Sequence, residues 1–276
     1  EEKIETVPDL SKDQKQTYIN NNRSLVRQVV LPAFESLRNS LEEYLNDDTD
    51  TTDNGNNSFS KKYYELLLSS NVGTDMTPEE CIQALTDTLR DTASDIITLT
   101  KENPDLYTEY LSAEPSLTDP QKILTELEND TLIDFPEPPD TSYVLKNVPN
   151  ALSSTSASAF YLLPPIDSEE ANVIYINQSR VDSREQFSTL AHEGYPGHLY
   201  QTNYYLSTDP HPIRSMLRCD GYDEGWGTYA QLYSYNYMEF NDTDRETAAL
   251  LRQLYRDNDI LSLALSSLSD LYVNYE

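Results

Sequence analysis

The segment at 190–199, LAHEGYPGHL, places a proline and two glycines between two of the three histidines in the chain. In the common pattern HExxH, the histidines are four positions apart and share one helix face, so both reach one metal ion while the glutamate faces its water. Here the fourth position after His192 is Pro196, and the next histidine is His198, six positions on. Six positions turn an ideal helix to about 120° from the starting direction. A straight helix therefore cannot bring both imidazoles to one ion.

Pro196 and the glycines beside it offer a way around this restriction. A proline inside a helix removes one backbone donor and clashes with the preceding turn. Gly194 and Gly197 permit tight or positive-φ backbone geometry. We therefore predict a kink or bulge within 194–197 that returns His198 to the neighbourhood of His192.

A third metal ligand is expected from the downstream sequence DGYDEGWG. Glu224 follows His198 by 26 positions, which suits a second helix that returns to the first. Small residues at Gly225 and Gly227 would let two helices approach closely enough to share an ion. Asp223 competes with Glu224 for this role, and Glu224 could instead be only a favourable acid at a helix N-terminus.

These residues together predict a zinc site. His192, His198 and Glu224 would bind the ion and leave a position open to water, and Glu193 would act on that water as the general base. The competing interpretation is a kinked helix whose two histidines bind nothing. His211 lies between prolines and is expected on an exposed loop, outside the site.

The hydrophobic pattern predicts a mainly α fold of the α+β class, with a small β-sheet beside the active-site helix. Apolar residues at helical spacing, and cap signals such as Thr77 before Pro78, indicate the helices. A capping-box pattern at Ser183 and Gln186 predicts the start of the helix that carries His192. The predicted helices are 11–45 with a bend at Pro32, 61–68, 77–100, 120–132, 183 onward, 221–240 and 243 onward. Short β-branched or aromatic runs predict strands at 143–148, 159–163 and 172–177.

A proline-rich stretch at 135–139, FPEPP, predicts an extended connector between two lobes. Residues 1–140 are predicted to form a helical lobe, and residues 141–276 a catalytic lobe with the small sheet and the active-site helices. The chain starts with EEK, without an initiator Met, and stops inside a helical pattern. We therefore expect it to be a fragment of a larger protein.

The charge balance restricts the possible partners. With 48 acidic and 19 basic residues, the formal net charge is −29, which would repel nucleic acid and anionic membrane surfaces. No run of about 18 apolar residues occurs, so no membrane-spanning helix is expected. An acidic, Lys-poor and Tyr-rich composition favours a secreted or envelope protein of a bacterium over a cytosolic one.

The motif residues resemble those of a bacterial family catalogued as domain of unknown function 885. The similarity rests on HEGYPGH at 192–198, Gln201, and EGW at 224–226, and more loosely on YLLPP at 161–165 and YIN at 175–177. It spans most of the chain.

This resemblance implies a mostly helical, zincin-like metallopeptidase fold. It implies that His192, His198 and Glu224 are the ligands, that Glu193 is the general base, and that an N-terminal half is missing. Family members also tend to carry another histidine in their last helical region, where this chain has serines at 266, 267 and 269.

The function expected from the sequence is hydrolysis of peptide bonds by a zinc-dependent peptidase. The alternative is a catalytically inactive envelope protein that binds zinc or peptides without cleaving them. A third interpretation is a purely structural helical module with unliganded histidines.

Overall fold

The computed structural model describes residues 4–5, 7–46, 58–164, 171–211, 213–214, 217 and 219–275. The chain forms two compact units, Glu1–Asp53 and Asn54–Glu276. All of the predicted site residues belong to the second unit.

The first unit contains one long, interrupted helix. Helix α1 (Lys12–Leu25) begins with a capping box between Ser11 and Gln14 and passes through a π-helical turn (Val26–Val30) into α2 (Leu31–Asn46). In the π turn, the backbone N–H of Leu31 donates to the carbonyl of Val26, five residues back. The predicted helix is therefore confirmed, and its irregularity is a widened turn just before Pro32.

In the described part of the second unit, four α-helices precede the sheet: α3 (Ser58–Leu67), α4 (Pro78–Glu102), α5 (Leu106–Ser112) and α6 (Pro120–Asp134). A π-helical turn at Leu68–Val72 extends α3. Helix α4 begins as the sequence predicts, since Thr77 caps it and Glu80 completes a capping box. Helix α6 begins with Asp119 as its cap.

The three predicted strands form one small sheet. Strand β3 (Asn172–Ile176) lies in the centre, parallel to β1 (Tyr143–Asn147) and antiparallel to β2 (Ala159–Leu162). Alternate residues of β3 are buried, which is the period-two pattern of a strand with one face on the core. Strand β2 is an edge strand of this sheet.

Four α-helices follow the sheet among the residues that the structure describes: α7 (Gln186–Glu193), α8 (His198–Ser207), α9 (Asp220–Ser234) and α10 (Arg245–Asn274). Helix α9 packs against α7, and α10 packs against α4. Three predicted α-helix boundaries differ by at least three residues, and the first is the start of α3 at Ser58 in place of 61. Helix α7 begins at Gln186 without a side-chain cap, three residues later than predicted, and α9 ends at Ser234, before the predicted 240.

A single core cluster connects the sheet with helices from both sides of the proline-rich connector. Helix α6 packs against α7, and the glycine that follows α7 lies against Leu124 of α6 and Ile174 of β3. The largest almost fully buried apolar side chains include Leu106, Ile123, Leu124, Leu127, Ile174, Leu190, Leu199, Met238 and Leu251.

The fold is thus mainly helical with one small sheet, as the sequence predicts. The compact units divide at Asp53–Asn54, and the predicted lobes 1–140 and 141–276 stay a prediction. Among the described helices, none is both long enough and apolar enough to cross a membrane.

Candidate metal centre

The motif segment interrupts the helix completely. Helix α7 ends at Glu193, and Gly194 (φ −110°, ψ −102°) and Gly197 (φ −80°, ψ −135°) leave helical geometry before α8 begins at His198. The Tyr195–Pro196 peptide bond is cis. The predicted kink is therefore a full break between two helices.

Close approach, and not positive φ, explains why glycine occupies both positions. A Cβ at Gly197 would overlap the carbonyl oxygens of Ala191 and His192. A Cβ at Gly194 would overlap Leu124 of α6 and would lie 2.8 Å from the carbonyl oxygen of Leu190. The loop thus folds back onto the end of α7, which places the first residue of α8 beside His192.

The imidazoles of His192 and His198 lie side by side at this break, with ring centroids 4.7 Å apart and planes at 84°. Both side chains are largely buried, with 16% and 15% of their surface exposed. Oε2 of Glu224 lies 3.5 Å from Nε2 of His192 and 3.7 Å from Nε2 of His198. One candidate ligand atom from each of the three residues lies within 4.8 Å of the other two.

Glu224, the fifth residue of α9, reaches this pair from the second turn of that helix. Its side chain is 67% exposed, so the centre opens to solvent on that side. Gly227, one turn later, faces His192, and a Cβ there would lie 2.6 Å from the imidazole Nε2. Gly225 faces open space. Of the two predicted small residues, only Gly227 gives α9 its close approach to α7.

Burial, together with the neighbouring His198 imidazole, lowers the pKa of His192, and the charge of Glu224 opposes this shift. The lowered pKa favours the neutral imidazole at neutral pH. Neutral imidazole is the form that binds metal ions.

Glu193, the last residue of α7, is held by the sheet. Its Oε2 accepts a 2.7 Å hydrogen bond from the backbone N–H of Tyr161, which points outward from edge strand β2. Burial raises the pKa of Glu193 to about 7, with a smaller contribution from the charge of Glu224, while the Tyr161 bond opposes the increase. A carboxyl group with a pKa near neutral can both accept and return a proton.

A second layer of polar residues, which the sequence analysis missed, lies behind His192. Gln231 Oε1 is 3.2 Å from His192 Nδ1, and Gln231 Nε2 donates to Asp259 Oδ2 at 2.9 Å. Gln231 follows Glu224 by seven positions, so helical periodicity could have placed it on the same face of α9. No local pattern identifies Asp259, because it comes from α10.

The remaining histidine and the competing acid are not part of this cluster. His211 is exposed, and its Nδ1 accepts a hydrogen bond from the backbone N–H of Ile213. Asp223 lies next to Glu224, yet Glu224 is the residue that meets both imidazoles. Within the described residues, these three ligand candidates form the one group of at least three His, Cys, Asp or Glu side chains that could hold an ion.

The three residues could hold a metal ion, and a carboxyl group that could exchange a proton lies next to them in the chain. Two imidazole nitrogens and a carboxylate oxygen suit zinc, and a buried carboxyl group follows directly after the first histidine.

Comparison with known proteins shows the fold and the family. A crystal structure described as that of "the putative lipoprotein from Colwellia psychrerythraea" has a TM-score of 0.76 with this chain at 20% sequence identity. The match covers 99% of this chain and 50% of that one, so this chain spans about half the length of that protein. No curated protein matches. A family model described as "Bacterial protein of unknown function (DUF885)" matches residues 1–257. This chain therefore belongs to the DUF885 family of bacterial proteins.

Proposed function

We propose that this chain carries the catalytic part of a zinc-dependent peptidase. The observation that supports it most strongly is the convergence of Nε2 of His192 and Nε2 of His198 on Oε2 of Glu224, at 3.5 and 3.7 Å. Ligand atoms about 2.1 Å from a tetrahedral zinc ion are about 3.4 Å apart. Both separations from Glu224 are close to this value, and one candidate ligand atom of each residue lies within 4.8 Å of the other two.

The donor set also fits a catalytic zinc site. Two histidines and one glutamate are a known ligand set of zinc peptidases, and three protein ligands leave a fourth position open. When bound, zinc supplies Lewis-acid polarisation of a carbonyl group and lowers the pKa of water to about 7.

The role proposed for Glu193 is proton transfer. The Tyr161 N–H occupies one of its carboxylate oxygens, which leaves the other to take a proton from the attacking water. Because burial raises the pKa of Glu193 to about 7, the group also returns this proton to the leaving amine readily. Peptide bonds are the proposed substrate, since the exposed Glu224 leaves the centre open to an extended chain.

The same contacts are compatible with a catalytically inactive protein that binds zinc and peptides without cleaving the peptides. A location at the bacterial cell envelope is also proposed, because the similar Colwellia psychrerythraea protein is described as a "putative lipoprotein".

Metal analysis of the purified protein tests the proposal. We expect about one equivalent of zinc in the wild type and loss of zinc in His192→Ala. His211→Ala is the matched control, because it removes an exposed histidine outside the cluster and should keep the zinc. Absence of zinc from the wild type after incubation with the metal would refute the site. Zinc binding without cleavage of a mixed peptide library would favour the inactive alternative.

A further inference from the structure

Gln231 and Asp259 connect His192 to the interior of the second unit through hydrogen bonds. Gln231 Oε1 lies 3.2 Å from His192 Nδ1, on the side of the ring away from Glu224, and Gln231 Nε2 donates to Asp259 Oδ2 at 2.9 Å. The same Asp259 oxygen accepts a 2.7 Å hydrogen bond from the hydroxyl of Tyr235. Asp259 is not one of the three candidate metal ligands.

The directions of these bonds determine which nitrogen of His192 carries the proton. A carboxylate oxygen only accepts hydrogen bonds, so the NH₂ group of Gln231 must face Asp259. The amide oxygen of Gln231 then faces His192 Nδ1, and because this oxygen can only accept, Nδ1 must donate. A neutral imidazole with its proton on Nδ1 has its lone pair on Nε2. That lone pair lies on the Glu224 side, where a metal ion would bind.

The carboxylate that orients this amide is itself held firmly. Tyr235 is 2% exposed, and its hydroxyl contacts Ser188 Oγ on α7 at 3.1 Å as well as Asp259 on α10. The network therefore joins α7, α9 and α10 around one carboxylate, which leaves Gln231 a single orientation that satisfies both of its neighbours.

We propose that Asp259, acting through Gln231, is a positioning residue that holds His192 in the Nδ1–H tautomer and so presents Nε2 to the metal ion. The role of Asp259 in metal binding rests on the zinc site proposed above, whereas the tautomer of His192 is a property of the metal-free protein. Hydrogen bonds of this kind fix the ring orientation of metal-binding histidines. Without an acceptor at position 259, the amide of Gln231 can turn its NH₂ group toward Nδ1, which places the proton on Nε2 and removes the metal-binding lone pair.

Nitrogen-15 NMR of the metal-free protein at mildly alkaline pH tests the tautomer directly. The chain has three histidines, so His198→Ala and His211→Ala spectra assign the signals of His192. We expect the wild type to carry the proton on Nδ1 and Asp259→Leu to shift it toward Nε2. A wild-type protein with its His192 proton on Nε2 would overturn the proposal.

Zinc affinity, measured by competition with a chelator, provides the second readout. We expect Asp259→Leu to bind zinc about 10- to 100-fold more weakly than the wild type. Asp259→Asn keeps an acceptor oxygen and should restore both the tautomer and the affinity. Asp259→Asn is therefore the matched control for Asp259→Leu, because it removes the same negative charge but leaves an acceptor for Gln231 in place.

The outcomes separate this proposal from the zinc proposal. If Asp259→Leu changes neither the tautomer nor the zinc affinity, Asp259 does not position His192. If the wild type binds no zinc, the proposed function fails, while the tautomer of the metal-free wild type still decides the present inference.

Discussion

At the scale of single residues, Gly227 controls the space available to His192. A Cβ at this position would lie 2.6 Å from Nε2 and 2.7 Å from Cε1 of the imidazole, closer than side chains tolerate. Gly225 belongs to the same helix, but a Cβ there would have no neighbour within 4 Å. The two glycines therefore provide a matched pair that separates crowding of the ring from the general effect of alanine in a helix.

We expect Gly227→Ala to weaken zinc binding by about tenfold or more, because the added methyl group pushes the His192 imidazole from its place beside Glu224. Gly225→Ala should bind zinc as the wild type does and should unfold at higher denaturant, since alanine stabilises a helix by up to about 1 kcal/mol over glycine. Chelator competition and urea unfolding measure both effects. Equal zinc affinity in the two variants would show that Gly227 has no special role.

Glu193 is the residue whose replacement separates binding from catalysis. Glu193→Gln keeps the size of the side chain but cannot take a proton, so peptide hydrolysis should fall by about 100- to 10,000-fold. Zinc content should remain unchanged, because the ligands proposed are His192, His198 and Glu224. Hydrolysis of a peptide library and metal analysis on the same samples test this. A variant that keeps full activity would exclude Glu193 as the general base.

The sequence predicted the candidate ligands but not the residues behind them. The spacing of His192, His198 and Glu224 contains the information needed to expect one cluster, because Pro196 signals the break in the helix. Asp259 is 28 positions from Gln231, and their contact depends on how α10 packs. Such a pairing has no local signature in a single sequence.

Among the secondary-structure elements, the break between α7 and α8 allows two histidines that are six positions apart to lie side by side. The sequence predicted a distortion from the glycines and proline, yet the loop turns back more sharply than a kink, with Gly197 against the carbonyl oxygens at the end of α7. The predicted capping box at Ser183 fails for a local reason. The side-chain Oδ1 of Asp182 accepts a hydrogen bond from the backbone N–H of Arg184, and the carbonyl oxygen of Asp182 accepts one from the backbone N–H of Gln186. These bonds form a turn that precedes the helix.

Gly197→Ala is expected to destabilise the protein by about 3 kcal/mol. The added Cβ would overlap two backbone carbonyl oxygens, which cannot move away as a flexible side chain can. Zinc affinity should fall as well, since the loop positions His198. Urea unfolding compared with Gly225→Ala, an equivalent change at an open position, measures the loss. If Gly197→Ala is as stable as Gly225→Ala, this packing of the loop is wrong.

At the scale of the whole molecule, the acidic charge affects stability as well as partners. A formal net charge of −29 means that carboxylates often have other carboxylates as neighbours. On α6, burial and the charges of Glu126 and Glu239 raise the pKa of Asp130 from 3.8 to about 6. Between these two pH values, the Asp130 carboxyl is protonated more often in the folded protein than in the unfolded chain. The contribution of Asp130 to stability is therefore fully present below about pH 4 and is lost as the pH rises through 6.

Asp130→Asn should therefore raise the free energy of unfolding at pH 7 and lose this advantage below about pH 4, where Asp130 is protonated in both states. The shift of about two pKa units corresponds to about 3 kcal/mol, but Asp130 is partly exposed and solvent screening reduces the expected gain to about 1 kcal/mol or less. Glu102→Gln, at the exposed end of α4, controls for the loss of one negative charge from the whole molecule. Urea unfolding of both variants and the wild type across this pH range measures the difference. If Asp130→Asn gains no more than Glu102→Gln at pH 7, burial and its two acidic neighbours do not destabilise the charged form of Asp130.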